Sequence, residues 1–277
     1  MNLYVTPEDI RRELRLDTQN SMPVERLAPI LEETCRYIDN ELGRFFYVLT
    51  DTRYYDGPGG SQWWVPDDVI SITSVKWDSD EDGVYETTLV EGTDFVGWPY
   101  NGEHFRRLDV LTRSSQIAGW PSGQKALEIV GKFGWGETTE STGDTVQDNP
   151  QSSSSTTLTV TSGANFAVGD TLLIETEQQY VSDKTGETLT VVRGVNGTTA
   201  AAHNQSTAIS RYTYPPALQS AIKMEAARWY REISTGFAGA VASMNESGFA
   251  SFRATYPAIM ARLATFRTSD HFVPVGF

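Results

Sequence analysis

The stretch Val24-Glu25-Arg26-Leu27-Ala28-Pro29-Ile30-Leu31-Glu32-Glu33-Thr34-Cys35-Arg36-Tyr37-Ile38-Asp39-Asn40-Glu41-Leu42-Gly43 repeats its apolar residues at helical spacing. Val24, Leu27, Leu31, Cys35, Ile38 and Leu42 fall on one stripe, and Glu32, Glu33, Arg36 and Asp39 fall opposite. Gly43 supplies a C-terminal stop. Upstream, Thr6 and Asp9 have the spacing of a capping box with Pro7 in the first turn, predicting a short helix to about Leu14. Near the other end, Pro215 and Pro216 open a long helix with Leu218, Ile222, Ala226, Trp229 and Ile233 on one stripe. Small residues over 236–247 break it, and a last helix runs over about 257–266 with Ile259, Leu263 and Phe266 on one side. Helices at both ends of the chain predict a helical core.

Between them the pattern changes to short strands. Residues 63–65, 69–77, 84–89, 94–97, 108–111 and 126–135 read as strands parted by turn residues, among them Asp56-Gly57-Pro58-Gly59-Gly60. Residues 136–156 are Gly, Thr, Ser, Asp, Gln and Pro with almost nothing apolar, the composition of a linker. Beyond it, 157–160, 171–175, 180–182, 188–192 and 208–212 alternate as strands with Thr on one face. The expected fold class is α+β: a helical core with a small antiparallel sheet excursion, plus an inserted small all-β domain. The expected domains are 1–137 with 213–277 as the core, and 138–212 as linker and insert.

Across 277 residues, 39% are hydrophobic, 11% aromatic and 21% charged, enough apolar content for a core and too little charge for global disorder. The net charge of −14 argues against tight nucleic-acid binding through a broad basic face. Charge is uneven. Residues 213–277 hold six Lys/Arg and four Asp/Glu, residues 143–212 hold seven acids and three bases, and most of the negative charge lies in 1–142. An acidic front and a mildly basic back suit head-to-tail self-association. Cys35 is the only cysteine, so neither an internal disulfide nor a thiolate metal site is expected. No window of about 18 apolar residues predicts a membrane span. The start Met-Asn-Leu-Tyr-Val lacks signal-peptide character, predicting synthesis in a cytoplasm without classical export.

The chemistry-bearing residues are sparse. His104, His203 and His271 lie in separate segments, and none pairs with another ligand at helical spacing. Neither a nucleophile elbow nor a phosphate-binding glycine loop is written, so no enzyme and no cofactor are expected. Asp78-Ser79-Asp80-Glu81-Asp82-Gly83 has the alternating carboxylates and glycine of a calcium loop. The helix-loop-helix form needs a Glu at the twelfth position, which is Leu89, and both flanks read as strands. The stretch is therefore read as a solvated hairpin turn, with no metal. Tyr54, Tyr55, Trp63, Trp64, Trp98, Tyr100, Trp120 and Trp135 allow either a sugar-stacking platform or core and oligomer packing, the commoner use of strand aromatics. Arg106-Arg107 beside Phe105 is a weak phosphate signal.

Three stretches together resemble the head–tail connector, or adaptor, proteins of tailed bacteriophages. They are Tyr4-Val5-Thr6-Pro7-Glu8-Asp9 through to Gly43-Arg44-Phe45; Pro66-Asp67-Asp68-Val69-Ile70-Ser71-Ile72, the Asp-rich turn, Thr93-Asp94-Phe95, and Leu127 to Gly136; and Pro215-Pro216-Ala217-Leu218 to Trp229-Tyr230. The segment with Phe166-Ala167-Val168-Gly169-Asp170, Glu175 to Val181, and Arg193-Gly194-Val195-Asn196-Gly197-Thr198 followed by His203 resembles a β module of phage structural proteins. The resemblance implies a structural virion protein of the neck, assembled in the host cytoplasm. It would form a homo-oligomeric ring between portal and tail, giving a DNA passage channel and a tail attachment platform. Its implied partners are the portal protein, tail or neck proteins and further copies of itself, with DNA passing an acidic lumen unbound and no membrane. The apolar tail places a portal or ring interface at Arg262, Arg267, His271, Phe272, Val273, Val275 and Phe277. The alternative is a receptor- or glycan-binding tail component.

Overall fold

The computed structural model describes residues 2–14, 24–234 and 257–267. Among the described residues strand outweighs helix, 39% to 22%, in two antiparallel six-stranded sheets with four short helices, so the expected helical core is wrong. The helices are as brief as eight and seven residues at α1 (Pro7–Leu14) and α4 (Pro257–Leu263). The long spans are strands: sixteen residues in β2 (Gln62–Trp77) and twelve in β6 (Ser122–Phe133). The strands expected at 63–65 and 69–77 are one. Pro66 does not end the strand because it lies in a break of the ladder with β5 (Phe105–Val110), where the register shifts between Trp64 opposite Arg107 and Val69 opposite Phe105; pairing with β6 begins at Val69. A proline is tolerated where no ladder bond is required of it.

The chain forms two compact units, one of Met1–Gly43, Thr138–Val195 and Thr199–Phe277, the other of Arg44–Glu137 with Asn196–Thr198. The second unit is the first sheet, ordered β1-β6-β2-β5-β4, with β1 (Leu49–Pro58), β4 (Phe95–Trp98), and β3 (Thr87–Leu89) pairing with β2 off this path. Its core gathers Trp63, Val65, Val69, Val75, Leu127, Ile129 and Phe133 with Leu89, Phe95, Leu108, Ile117 and Trp120. The alternation of buried and open positions along β6 follows from the two-residue period of a strand.

The other unit holds the helices and the second sheet. The stripe read from the sequence on α2 (Val24–Leu42) is buried at Leu27, Leu31, Cys35, Ile38 and Leu42. The capping box also forms: Asp9 N–H donates to Thr6 Oγ1 at 3.2 Å and Thr6 N–H to Asp9 Oδ2 at 3.1 Å. α2 packs on α3 (Pro216–Ser234), and α3 on α4. The second sheet is ordered β7-β12-β9-β10-β11-β8: β7 (Thr139–Thr145), β8 (Thr157–Thr159), β9 (Thr171–Ile174), β10 (Glu177–Thr185), β11 (Thr188–Val192) and β12 (Ala208–Tyr212). The stretch read as a linker therefore contains a strand, β7, paired with β12 through Glu140 opposite Arg211 and Ser141 opposite Ser210. Helix and sheet meet at Gly169, whose φ of +100° suits glycine and where a Cβ would sit 2.9 Å from Leu3 Cδ1.

Residues beyond the edge strands join the second sheet's two ends. Gln147 N–H donates to Thr159 C=O at 2.9 Å, and Asp148 accepts the Thr159 N–H and hydroxyl, each at 2.8 Å. Asp144 accepts the N–H groups of Thr161 and Ser162, each at 2.8 Å. Joining edges in this way removes open ladder groups that would otherwise recruit foreign strands.

Candidate functional site

The first sheet leaves a row of large side chains on its surface. Strand register places Trp64 opposite Arg107 and Trp98 opposite Arg107, so the three form one cross-strand line over β2, β5 and β4. Trp64 is 52% exposed, Trp98 37%, and nearby Tyr100 65%, high values for such large rings. The two indoles meet edge to face, 6.1 Å apart. The Arg107 guanidinium lies over both, 5.4 Å from the Trp64 ring and 4.8 Å from the Trp98 ring. Asp109 Oδ2 holds Arg107 from behind at 2.8 Å. β4 is an edge strand, so the row ends at an edge of the sheet. Exposed indoles ordered in advance against a half-buried arginine are what a protein contact uses as anchors.

The other aromatics divide by strand face. Trp63 and Trp120 are in the core, 5.3 Å apart. The Tyr55 hydroxyl donates to Asp67 at 2.6 Å, and Trp135 stacks under the Arg44 guanidinium at 4.7 Å. Tyr54 is half-exposed, with Lys125 Nζ 4.4 Å from its ring. Arg106 and Arg107 both face carboxylates, Asp68 and Asp109.

The two described histidines, His104 and His203, sit in buried polar clusters. His104 Nδ1–H donates to Trp135 C=O at 2.7 Å, and its Nε2 faces Asp68 at 3.3 Å. Burial pushes its pKa below the usual value, with Asp68 opposing. In the second sheet, His203 Nε2 lies 2.7 Å from Glu177 and Nδ1 lies 2.8 Å from Glu175. Glu177 is fully buried and accepts Arg193 through both oxygens at 2.7 and 2.8 Å, plus the N–H groups of Gly194 and Ala201 at 3.0 Å. Burial alone would raise the Glu177 pKa; these donors outweigh it and pull it down to about 2. Such a saturated carboxylate has no lone pair free for catalysis and instead clamps the loop from Arg193 to His203. The sequence shows these residues only as isolated charges, because 26 residues separate Glu177 from His203.

Of the interface residues read from the sequence, Arg262 and Arg267 are exposed, and Arg262 donates to Ser220 Oγ on α3 at 2.8 Å. His271, Phe272, Val273, Val275 and Phe277 lie outside the described residues. Among the described residues, no helix is long and apolar enough to cross a membrane. Searches of family models, curated proteins and solved structures return no match to this chain.

Proposed function

We propose that this protein is a structural component of a tailed-phage virion, a ring-forming connector between portal and tail. The observation that carries the reading is the exposed row of Trp64, Arg107 and Trp98 at the edge of the first sheet. A neighbouring subunit that covered it would bury two indoles and a guanidinium whose orientation is already set. The resemblance in sequence names the assembly, and the net charge of −14 suits a channel that DNA crosses without sticking. The same aromatics support the second reading, a glycan-binding tail component. The arginine over both rings favours protein contact, since it takes an indole face that a sugar would stack on.

Electron microscopy and native mass spectrometry of the purified chain, alone and with portal rings, test the proposal. Closed rings are expected, and Trp64→Ala with Trp98→Ala should leave folded monomers. A protein that stays monomeric in both settings overturns it. Sugar-dependent quenching of tryptophan emission, lost in the same variants, would establish the glycan reading.

A further inference from the structure

The turn after β2 adds a fourth carboxylate, Glu86, to the three alternating acids of its motif. One oxygen each from Asp78, Asp80, Asp82 and Glu86 lies within 4.8 Å of every other. The helix-loop-helix pattern asks for its last acid at Leu89, but Leu89 is in β3, buried and paired with Val75. The fourth carboxylate comes from Glu86, three residues earlier, because the chain leaves the turn as a strand and not as a helix. The Ser79 N–H donates to Glu86 Oε2 at 3.2 Å, drawing that side chain over the turn.

Asp78 supplies an independent sign of a ligand. It is 94% buried by its 6% exposure, and its Oδ2 accepts the Gly83 N–H at 2.8 Å. Its Oδ1 is buried with no hydrogen-bond partner. A carboxylate oxygen out of water without a donor is costly, and a cation is one group that satisfies it. No Lys or Arg forms an ion pair with any of the four acids among the described residues. The cluster is therefore repulsive as it stands.

We propose that Asp78, Asp80, Asp82 and Glu86 form a calcium site that fastens the β2–β3 turn. Ligand type and geometry favour calcium, which takes more carboxylate oxygens in a looser arrangement than magnesium. Calcium–oxygen distances of roughly 2.3–2.6 Å put ligands on opposite sides about 4.6–5.2 Å apart, while magnesium needs about 4.0–4.2 Å. Four oxygens all within 4.8 Å of one another fall inside the span of a calcium shell. Four carboxylates leave further coordination positions to water, which the exposure of Asp80, Asp82 and Glu86 permits.

The test uses the full-length protein with calcium chloride, and terbium as a luminescent stand-in. Trp77 and Tyr85 adjoin ligands in the chain and would sensitise terbium emission. The wild type is expected to show terbium emission that calcium displaces, and a melting temperature that rises with calcium. The double variant Asp80→Asn, Asp82→Asn and the single variant Glu86→Gln should lose both responses. Their melting in chelator should match or exceed the wild type, because the changed side chains are exposed and less repulsive. Glu81→Gln, in the turn but outside the cluster, should keep both responses. No calcium response in the wild type, or an equal response in the ligand variants, overturns the proposal.

Discussion

Each sheet buries one carboxylate beside an arginine and a histidine, and the two differ in how completely it is satisfied. In the second sheet Glu177 takes a two-pronged Arg193, His203 and two backbone N–H groups, all within 3.0 Å. In the first, Asp68 lies 3.3 Å from Arg44, 3.3 Å from His104 and 3.8 Å from Arg106, and Arg44 Nε and one terminal nitrogen make no hydrogen bond. The same trio of residue types thus gives a saturated clamp in one place and a loose charge cluster in the other. The second sheet also joins its edges, whereas the first ends at β4 with a tryptophan row in solvent. Polar completeness goes with closure, and loose polar packing goes with an open face.

The comparison is most vulnerable at the two carboxylates themselves. Glu177→Gln keeps the shape but leaves Arg193 buried beside a neutral amide. A loss of roughly 3–5 kcal/mol is expected, as for breaking a buried, well-formed ion pair. Asp68→Asn should cost about half as much, because its contacts are longer. Urea unfolding followed by peptide-resolved hydrogen exchange separates the two sheets. An Asp68 variant that costs as much as the Glu177 one removes the distinction.

Adjacent tryptophans on β2 test the open face. Trp63→Ala empties core volume and should cost roughly 3–5 kcal/mol. Trp64→Ala removes a half-exposed ring and should cost under about 1 kcal/mol while abolishing assembly. If Trp64→Ala unfolds the sheet, the row is structural and the open-face argument fails.

Acid should act on the sheets in sequence. His104 has a lowered folded pKa, so the unfolded chain takes up its proton first, and the first sheet loses stability as pH falls below about 6.5. Glu177 is held at about 2, so its contribution is intact above about 4.5 and is lost as pH falls from there toward 2. At about 1.4 kcal/mol per unit this amounts to roughly 3 kcal/mol. Asp39 runs the other way. Burial pushes it up to about 7, so its site among the helices weakens as pH rises from about 4 to 7. Hydrogen exchange against pH, read by peptide, distinguishes these windows. Simultaneous acid loss in both sheets would contradict the contrast.

What the sequence revealed follows from the range of the interactions. The α2 stripe and the Thr6–Asp9 box are local and were legible, since period and capping act within one or two turns. The length of β2 was not, because Pro66 is harmless only where the β2–β5 register shifts. The clamp at Glu177 depends on a register linking residues 175–177, 193–194 and 201–203, which no short window contains. The Glu86 carboxylate was hidden by applying helical offsets to a turn between strands.

The smallest effect concerns β7, the strand hidden in a linker-like composition. Thr and Ser read as solvated coil when counted as polar, yet Thr is β-branched and favours extended backbone. Here the hydroxyls are used. Thr142 Oγ1 donates to Ile209 C=O at 2.7 Å and accepts the Asp144 N–H at 3.2 Å, which fastens β7 to β12 next to the carboxylate joining the sheet's two ends. Thr142→Val keeps the branched shape and strand preference while removing both bonds. A loss of about 1 kcal/mol is expected, with faster exchange at the Thr161 and Ser162 amides as Asp144 loosens. Ser152, whose region β7 does not include, gives the control: Ser152→Ala should leave those two amides unchanged. If Thr142→Val leaves exchange there unaltered, the joined edge does not depend on the hydroxyl, and closure of the second sheet must rest on its backbone ladder and the Asp144 and Asp148 carboxylates alone.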